Sequence, residues 1–263
     1  MKENCAIEVH NLTTTYGGAP VLWDIDFELP AGHIIGIIGP NGSGKTTLLK
    51  TIMGLLDPSS GYVKIFNKDL DQMRERIAYV PQRESVDWDF PASVFDVVLM
   101  GRYRKNNIFR RTNKTDIVIV NESIEKVGLT EFKNRQIAQL SGGQQQRVFI
   151  ARALAQKADI YLMDEPFVGV DAATESSILK LLKEMKENGK TVLIIHHDLQ
   201  TVSDYFDYLV LLNTRLIAKG TPQEVLTEEN LSNAYGGQLT LLAKVANLIK
   251  ENEFPIREHD VDL

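Results

Sequence analysis

The chain reads as a parallel α/β core carrying an inserted helical block, and three observations predict it. Residues 33–38 are a continuous apolar run that leads into a glycine-rich loop and then a helix-periodic stretch at 45–56. Short apolar runs return later at residues 160–163, Thr191–Ile195 and 209–212, with helical pattern between them. From about Ser93 to Ala155 the pattern is helical instead. Strands alternating with helices on both sides of a helical block give a sheet of parallel strands with an insertion.

Element by element, residues 7–29 read as short strands broken by a turn at Tyr16-Gly17-Gly18. Residues 33–38 are apolar without alternation, which is the mark of a strand buried on both faces. The helix that follows carries Leu48, Leu49, Ile52, Leu55 and Leu56 as its apolar stripe. Residues 57–61 (Asp-Pro-Ser-Ser-Gly) form a turn before a strand at 62–66, and Ile77–Val80 is a strand stopped by Pro81. Within the helical block, 117–127 and 145–155 are the clearest helices, and the basic stretch 102–114 reads as a solvated loop. After the strand at 160–163, a helix at 174–187 ends at Gly189. A last amphipathic helix is expected at 238–251, in a short tail at 237–263 that follows a main domain at 1–236 with its helical subdomain at about 90–155.

Bulk properties exclude several classes. The 263 residues carry a net charge of -6, with 43% hydrophobic residues and one cysteine, Cys5. A single thiol rules out an internal disulfide and makes thiolate metal sites implausible. A negative balance argues against nucleic acid as a partner. No apolar run approaches the ~18 residues that span a bilayer, and Met1-Lys2-Glu3-Asn4 lacks the apolar stretch of a signal peptide. A cytosolic protein that reaches a membrane only through a partner is expected.

The chemistry begins at Gly39-Pro40-Asn41-Gly42-Ser43-Gly44-Lys45-Thr46, with Thr47 following. This fits G-x-x-x-x-G-K-[ST] between a strand and a helix. Glycines let successive backbone N–H groups turn inward around phosphates, and the helix aims its positive end at the same anion. Lys45 supplies charge for the β- and γ-phosphates, and the Thr46 hydroxyl can bind Mg²⁺. Further on, residues 160–163 run into Asp164-Glu165, a strand ending in two acids. Ser141-Gly142-Gly143 opens a strong helix: Ser141 can cap it, and a glycine-rich helix start without acids is a second anion site. His196-His197-Asp198 follows a strand, but adjacent residues on extended chain face opposite ways, which disfavours a shared metal.

Leu140-Ser141-Gly142-Gly143-Gln144, extended through Arg147, resembles the signature sequence of ATP-binding-cassette (ABC) transporter ATPases, and the motifs run in that family's order from Tyr16 to His197. The resemblance implies a phosphate-loop NTPase (RecA-like) core with an antiparallel β subdomain and an inserted helical subdomain. It implies ATP and Mg²⁺ as cofactors, with Thr46, Gln82 and Asp164 around the Mg²⁺. Glu165 would orient and deprotonate the attacking water, Gln82 would sense the γ-phosphate, and His197 would touch it, leaving His196 structural. Tyr16 would stack on adenine. The signature Leu140–Gln144 would cover the ATP of a second copy in a two-fold sandwich dimer, with Asp171 on the loop that crosses the interface, or simply capping the next helix.

The stretches 80–91, 97–102 and 166–174 resemble the ATPases of manganese, zinc and iron importers. That implies peripheral attachment to the cytoplasmic face of the membrane, an integral permease as partner, and an extracytoplasmic metal-binding protein beyond it. Trp88 and Phe90 either anchor that permease or pack in the core. Rival expectations are a siderophore, haem or cobalamin importer, an exporter, and a non-transport ABC protein acting on DNA or ribosomes.

Overall fold

The structure, a computed structural model, describes residues 5–103 and 112–236. Two sheets form. One is antiparallel, in the order β2-β1-β4-β5, from β1 (Cys5–Thr15), β2 (Pro20–Pro30), β4 (Ser60–Ile65) and β5 (Lys68–Asp69). The other runs β10-β9-β3-β8-β7-β6, from β3 (Ile34–Ile38), β6 (Ile77–Val80), β7 (Ile160–Asp164), β8 (Thr191–Ile195), β9 (Tyr208–Asn213) and β10 (Arg215–Gly220). In this second sheet β9, β3, β8, β7 and β6 pair in parallel, and β10 closes the edge antiparallel to β9.

The continuous apolar runs are sorted by the two-residue period of a strand. Ile35 and Ile37 of β3, Leu193 and Ile195 of β8, and Val210 and Leu212 of β9 face one core, shared with the antiparallel sheet. The helix α1 (Lys45–Ile52) lies in that layer through Leu48, Leu49 and Ile52. Their neighbours Ile34, Ile38, Val192, Ile194, Leu209 and Leu211 face the other core. Gly36 belongs to that second face, where an added Cβ would come within 2.8 Å of Leu209.

Between β6 and β7 in sequence, though these strands are neighbours in the sheet, stand α3 (Val94–Met100), α4 (Lys114–Lys126) and α5 (Gly142–Ala155). Their buried residues, among them Val98, Val120, Ile124, Val148 and Ile150, join the second core. Each of the three starts with a reciprocal capping box, from Ser93, Asn113 and Ser141. The helix α6 (Ala172–Glu187) follows β7. Among the shorter helices, α2 (Leu70–Met73) precedes β6, α7 (Val202–Tyr205) lies between β8 and β9, and α8 (Pro222–Val225) and α9 (Glu228–Tyr235) follow β10.

The architecture is the one expected, with differences in detail. The first two strands are long, each of 11 residues. The helix after the glycine loop stops at Ile52, because Gly54 takes φ 67 in a turn packed against Leu70 and Arg74. Leu55 therefore leaves the apolar stripe and is 67% exposed, and Leu56 is only half-buried. Pattern reading also did not mark β10, α8 and α9. The basic stretch does not begin in solvent: Arg102 and Asp116 form an ion pair at 3.0 Å, with side chains 13% and 6% exposed, and Arg102 Nη1 donates to the Ala155 carbonyl at 2.7 Å. The rest of that stretch, 104–111, and the expected tail helix at 238–251 lie outside the described residues.

Removing one partner of a buried ion pair leaves the other charge uncompensated. Arg102→Ala is therefore expected to lower the unfolding free energy by about 3 kcal/mol, read from urea denaturation. An unchanged midpoint and slope would show that the pair is not buried in solution.

Candidate nucleotide site

Parallel strands place their C-terminal ends on one edge of the sheet, where open α/β sheets hold ligands. Every strand-borne candidate leaves at that edge. Gly39 follows β3, Gln82 follows β6, Asp164 ends β7 with Glu165 next, and His196-His197 follow β8. The register keeps them level: Asp164 lies opposite Ile195, and Met163 opposite Val80.

The glycine loop needs its glycines. Gly39 has φ 149, and a Cβ there would sit 2.0 Å from the Leu212 carbonyl oxygen. Gly44 precedes α1 with φ 98, where a Cβ would strike Leu22 at 2.6 Å. Lys45 Nζ donates to the carbonyls of Gly39 and Pro40, both at 2.9 Å. Burial lowers the Lys45 pKa, opposed by the charges of Glu165 and Asp164. Ser43 Oγ is buried with no hydrogen-bond partner, a polar group poised for a ligand.

Three acceptor groups converge on this loop. Asp164 is buried, and its pKa is raised by that burial and by Glu165, while a hydrogen bond from the Thr46 side chain and the charges of Lys50 and Lys45 pull it back. Glu165 adopts φ 49, a left-handed conformation that glutamate rarely takes. Gln82 Nε2 donates to Glu165 Oε2 at 3.2 Å, which leaves the Gln82 amide oxygen available. The hydroxyl of Thr46, the carboxylate of Asp164 and the amide oxygen of Gln82 are all hard oxygen donors, the set that suits Mg²⁺. Among the described residues no cluster of three or more His, Cys, Asp or Glu is arranged as a metal cage.

The two histidines divide as opposite faces require. His197 is exposed, while His196 is 3% exposed, with Nε2 2.8 Å from the Thr201 hydroxyl and its ring among Phe167, Tyr205 and Phe206. Burial, with the neighbouring His197 charge, lowers the His196 pKa to about 4, against a smaller opposing effect of Asp198. Tyr16 stands in the turn between β1 and β2 and is 61% exposed, free to present its ring.

The signature lies apart from the glycine loop. Leu140 is buried, Ser141 caps α5, and the Ser141 N–H donates to Gln144 Oε1 at 2.9 Å. The neighbours of Gly142 and Gly143 are Arg83 and Thr174. Asp171 caps α6, accepting from the Thr174 N–H at 2.7 Å, and the hydrogen bonds from Thr174 hold its pKa down. Trp88 and Phe90 separate. Trp88 is half-buried, its Nε1 donating to the Arg83 carbonyl at 2.9 Å and its ring edge-on to Phe149 at 5.2 Å. Phe90 is 54% exposed.

Pattern reading missed three contributors. Lys50, one turn beyond the loop, acts on Asp164 through its charge. Tyr235 at the end of α9 receives a hydrogen bond from the Gly39 backbone, while burial pushes its hydroxyl up to about 12. Arg83, next to Gln82, reaches the signature helix. Only Arg83 had a signal in sequence, its adjacency to Gln82.

Comparison with known proteins now decides the family. Residues 22–168 match the family described as ABC transporter. The chain belongs to the ABC transporter family. It is 58% identical over 236 residues to the manganese transport system ATP-binding protein MntB of Bacillus subtilis (strain 168), covering 90% of this chain and 94% of that protein. It is 56% identical over 235 residues to the zinc transport system ATP-binding protein TroB of Treponema pallidum (strain Nichols), covering 89% and 88%. Among solved structures, a metal-chelate type ABC transporter in an inward-facing conformation superimposes with a TM-score of 0.78 at 31% identity, covering 88% of this chain and 89% of that one. The matched ABC region holds the glycine loop, Gln82, the signature and the Asp164-Glu165 pair; Asp171 and His197 lie C-terminal to it.

The buried His196 makes a prediction. Its pKa falls from 6.5 to about 4 on folding, so the unfolded chain takes up a proton that the folded one refuses. Stability from this group is whole above pH 6.5 and is lost as pH falls toward 4, by about 3 kcal/mol. The difference in unfolding free energy between wild type and His196→Gln should change by that amount across the window. A difference independent of pH would refute it.

Proposed function

We propose that this chain is the ATP-hydrolysing subunit of an importer that carries a transition-metal ion, manganese, zinc or iron, through a separate membrane permease. The carrying observation is the near-complete overlap, at 58% and 56% identity, with ATP-binding subunits named for manganese and zinc transport. The metal-chelate transporter resembles it at 31% identity, which makes uptake of a chelated metal the second reading.

In this reading the glycine loop and Lys45 bind the β- and γ-phosphates, and Tyr16 stacks on adenine. Mg²⁺ held by Thr46, Asp164 and Gln82 would neutralise charge on the phosphates. Glu165 orients the attacking water and takes its proton, in line with its place beside Gln82 and Lys45. His197, exposed at the end of β8, contacts the γ-phosphate. In a two-fold dimer the signature residues 140–144 cover the partner's ATP, and Asp171 lies on the crossing loop. ATP then contacts both copies only when they are closed, so it favours closure, and hydrolysis reopens them.

Phe90 supplies the exposed aromatic for the permease, while Trp88 packs against Phe149 of the signature helix. No helix among the described residues is long and apolar enough to cross a membrane. The permease would therefore supply the pathway and hold this subunit at the cytoplasmic face, with an extracytoplasmic protein delivering the metal.

Glu165→Gln should lower ATP turnover by roughly 10² to 10⁴ and leave a dimer in ATP that elutes at twice the monomer mass. A variant that stays monomeric and fully active would overturn the assignment. Lys45→Ala should weaken nucleotide binding or hydrolysis severely, and normal uptake from that variant would displace the phosphate site. In the cell, deletion of this gene should lower accumulation of one of the three labelled metals, restored by the wild-type copy and not by Glu165→Gln. Unchanged uptake of all three, with soluble partners recovered by affinity capture, would overturn metal import.

A further inference from the structure

One face of α5 is bonded along the whole of β6 and the segment after it. Gln145, Phe149, Arg152 and Gln156 are spaced four, three and four residues apart, which puts them on one helical stripe. Gln156 Nε2 donates to the Ile77 carbonyl at 2.7 Å, and Arg152 Nη2 to the Tyr79 carbonyl at 3.1 Å. Beyond Gln82, Arg83 Nε donates to Gln145 Oε1 at 3.1 Å, and Trp88 meets Phe149 edge-on. Gln145 is itself fixed, since its Nε2 donates to the Ile137 carbonyl at 3.1 Å. Gln82 is thus flanked on both sides by residues held to the helix that the signature opens.

Arg83 is the junction. Its backbone follows Gln82, which donates to Glu165. Its carbonyl accepts from Trp88. Its guanidinium carbon lies 3.0 Å from where a Cβ on Gly142 would be, and its Nη1 lies 4.0 Å from the same point on Gly169. A single residue therefore belongs to the glutamine segment through its backbone, bonds the signature helix through its side chain and lies beside the turn that leads to Asp171.

We propose that Arg83 is a positioning residue that makes the Gln82–Glu165 contact and the placement of Ser141-Gly142-Gly143 a single variable. The inference rests on the ATPase reading above. A signature that faces the partner's nucleotide then moves with the glutamine that reads this chain's own nucleotide, and the two sites of a dimer are coupled through one planar guanidinium. A lysine is a flexible point charge and does not hold such a bond in direction. The absence of a side chain on Gly142 is what lets the guanidinium approach the helix.

The test uses the full-length chain: Arg83→Ala, Arg83→Lys, Gln145→Leu and the Arg83→Ala/Gln145→Leu double variant. Steady-state ATPase is measured against ATP concentration, beside equilibrium binding of a fluorescent ATP analogue and thermal melting. Each single variant should lower kcat by about tenfold and flatten a sigmoidal dependence on ATP, with KM and analogue affinity within roughly twofold of wild type. The double variant should be no worse than the poorer single one. Arg83→Lys, which keeps the charge and should melt with the wild type, should still lose kcat.

Wild-type kcat and sigmoidicity in Arg83→Ala, losses that multiply in the double variant, full activity in Arg83→Lys, or lost analogue binding would each overturn the proposal. A wild-type chain without ATPase activity, or a Glu165→Gln variant with normal turnover, would overturn the ATPase reading instead.

Discussion

The parallel pairing of β3 with β8 and β9 is the constraint from which the rest follows. Ile34–Ile38 is buried at every position, so β3 sits only where apolar material covers both of its faces. That fixes it mid-sheet and sends its C-terminal end out beside those of β8, β7 and β6. The glycine loop, His197, Asp164-Glu165 and Gln82 come from distant parts of the chain and reach one edge because four strands point the same way. A one-residue slip of β3 would exchange Ile35 and Ile37 for Ile34 and Gly36 and ruin both cores together.

The electrostatics of that edge oppose one another in a useful way. Burial disfavours the charge on Lys45 and the charge on Asp164, and each is restored in part by the other. Asp164 also feels Glu165, and the charge of Lys50 joins that of Lys45 in favouring its carboxylate. A phosphate arriving with a divalent cation adds both signs of charge at once, so it satisfies the lysine and the two acids without leaving a new imbalance.

How much of this was legible in the sequence depends on the reach of each interaction. β3, β6, β7 and β8 were visible because their apolar runs are local, and the glycine loop because its backbone demands fall within a few adjacent residues. Strand alternation alone sets His196 and His197 on opposite faces, and the family resemblance says which of the two is the structural one. The end of α1 is not legible because Leu55 and Leu56 keep the helical period, and only the packing of Gly54 against Leu70 and Arg74 breaks it. Arg102 reads as a solvated charge in sequence because its partners are Asp116 and the carbonyl of Ala155, far along the chain. Arg83 bonds to Gln145 across 62 positions and Tyr235 reaches back to Gly39, contacts that no local pattern encodes.

The backbone of Glu165 carries a consequence for how freely this protein can change. At φ 49 the residue sits where glycine or asparagine would be at ease, and holding glutamate there costs about 1 kcal/mol or more. Among the possible replacements only glycine and asparagine would relieve that cost, and in the proposed ATPase reading either would remove the group placed to take the proton of the attacking water. A search for thermally hardened variants would be drawn to those two residues at position 165 and, in that reading, would select against the reaction. In that reading sturdiness and turnover are set against each other at one residue, and lineages that keep the glutamate recover the lost stability elsewhere, in the two cores that flank β3.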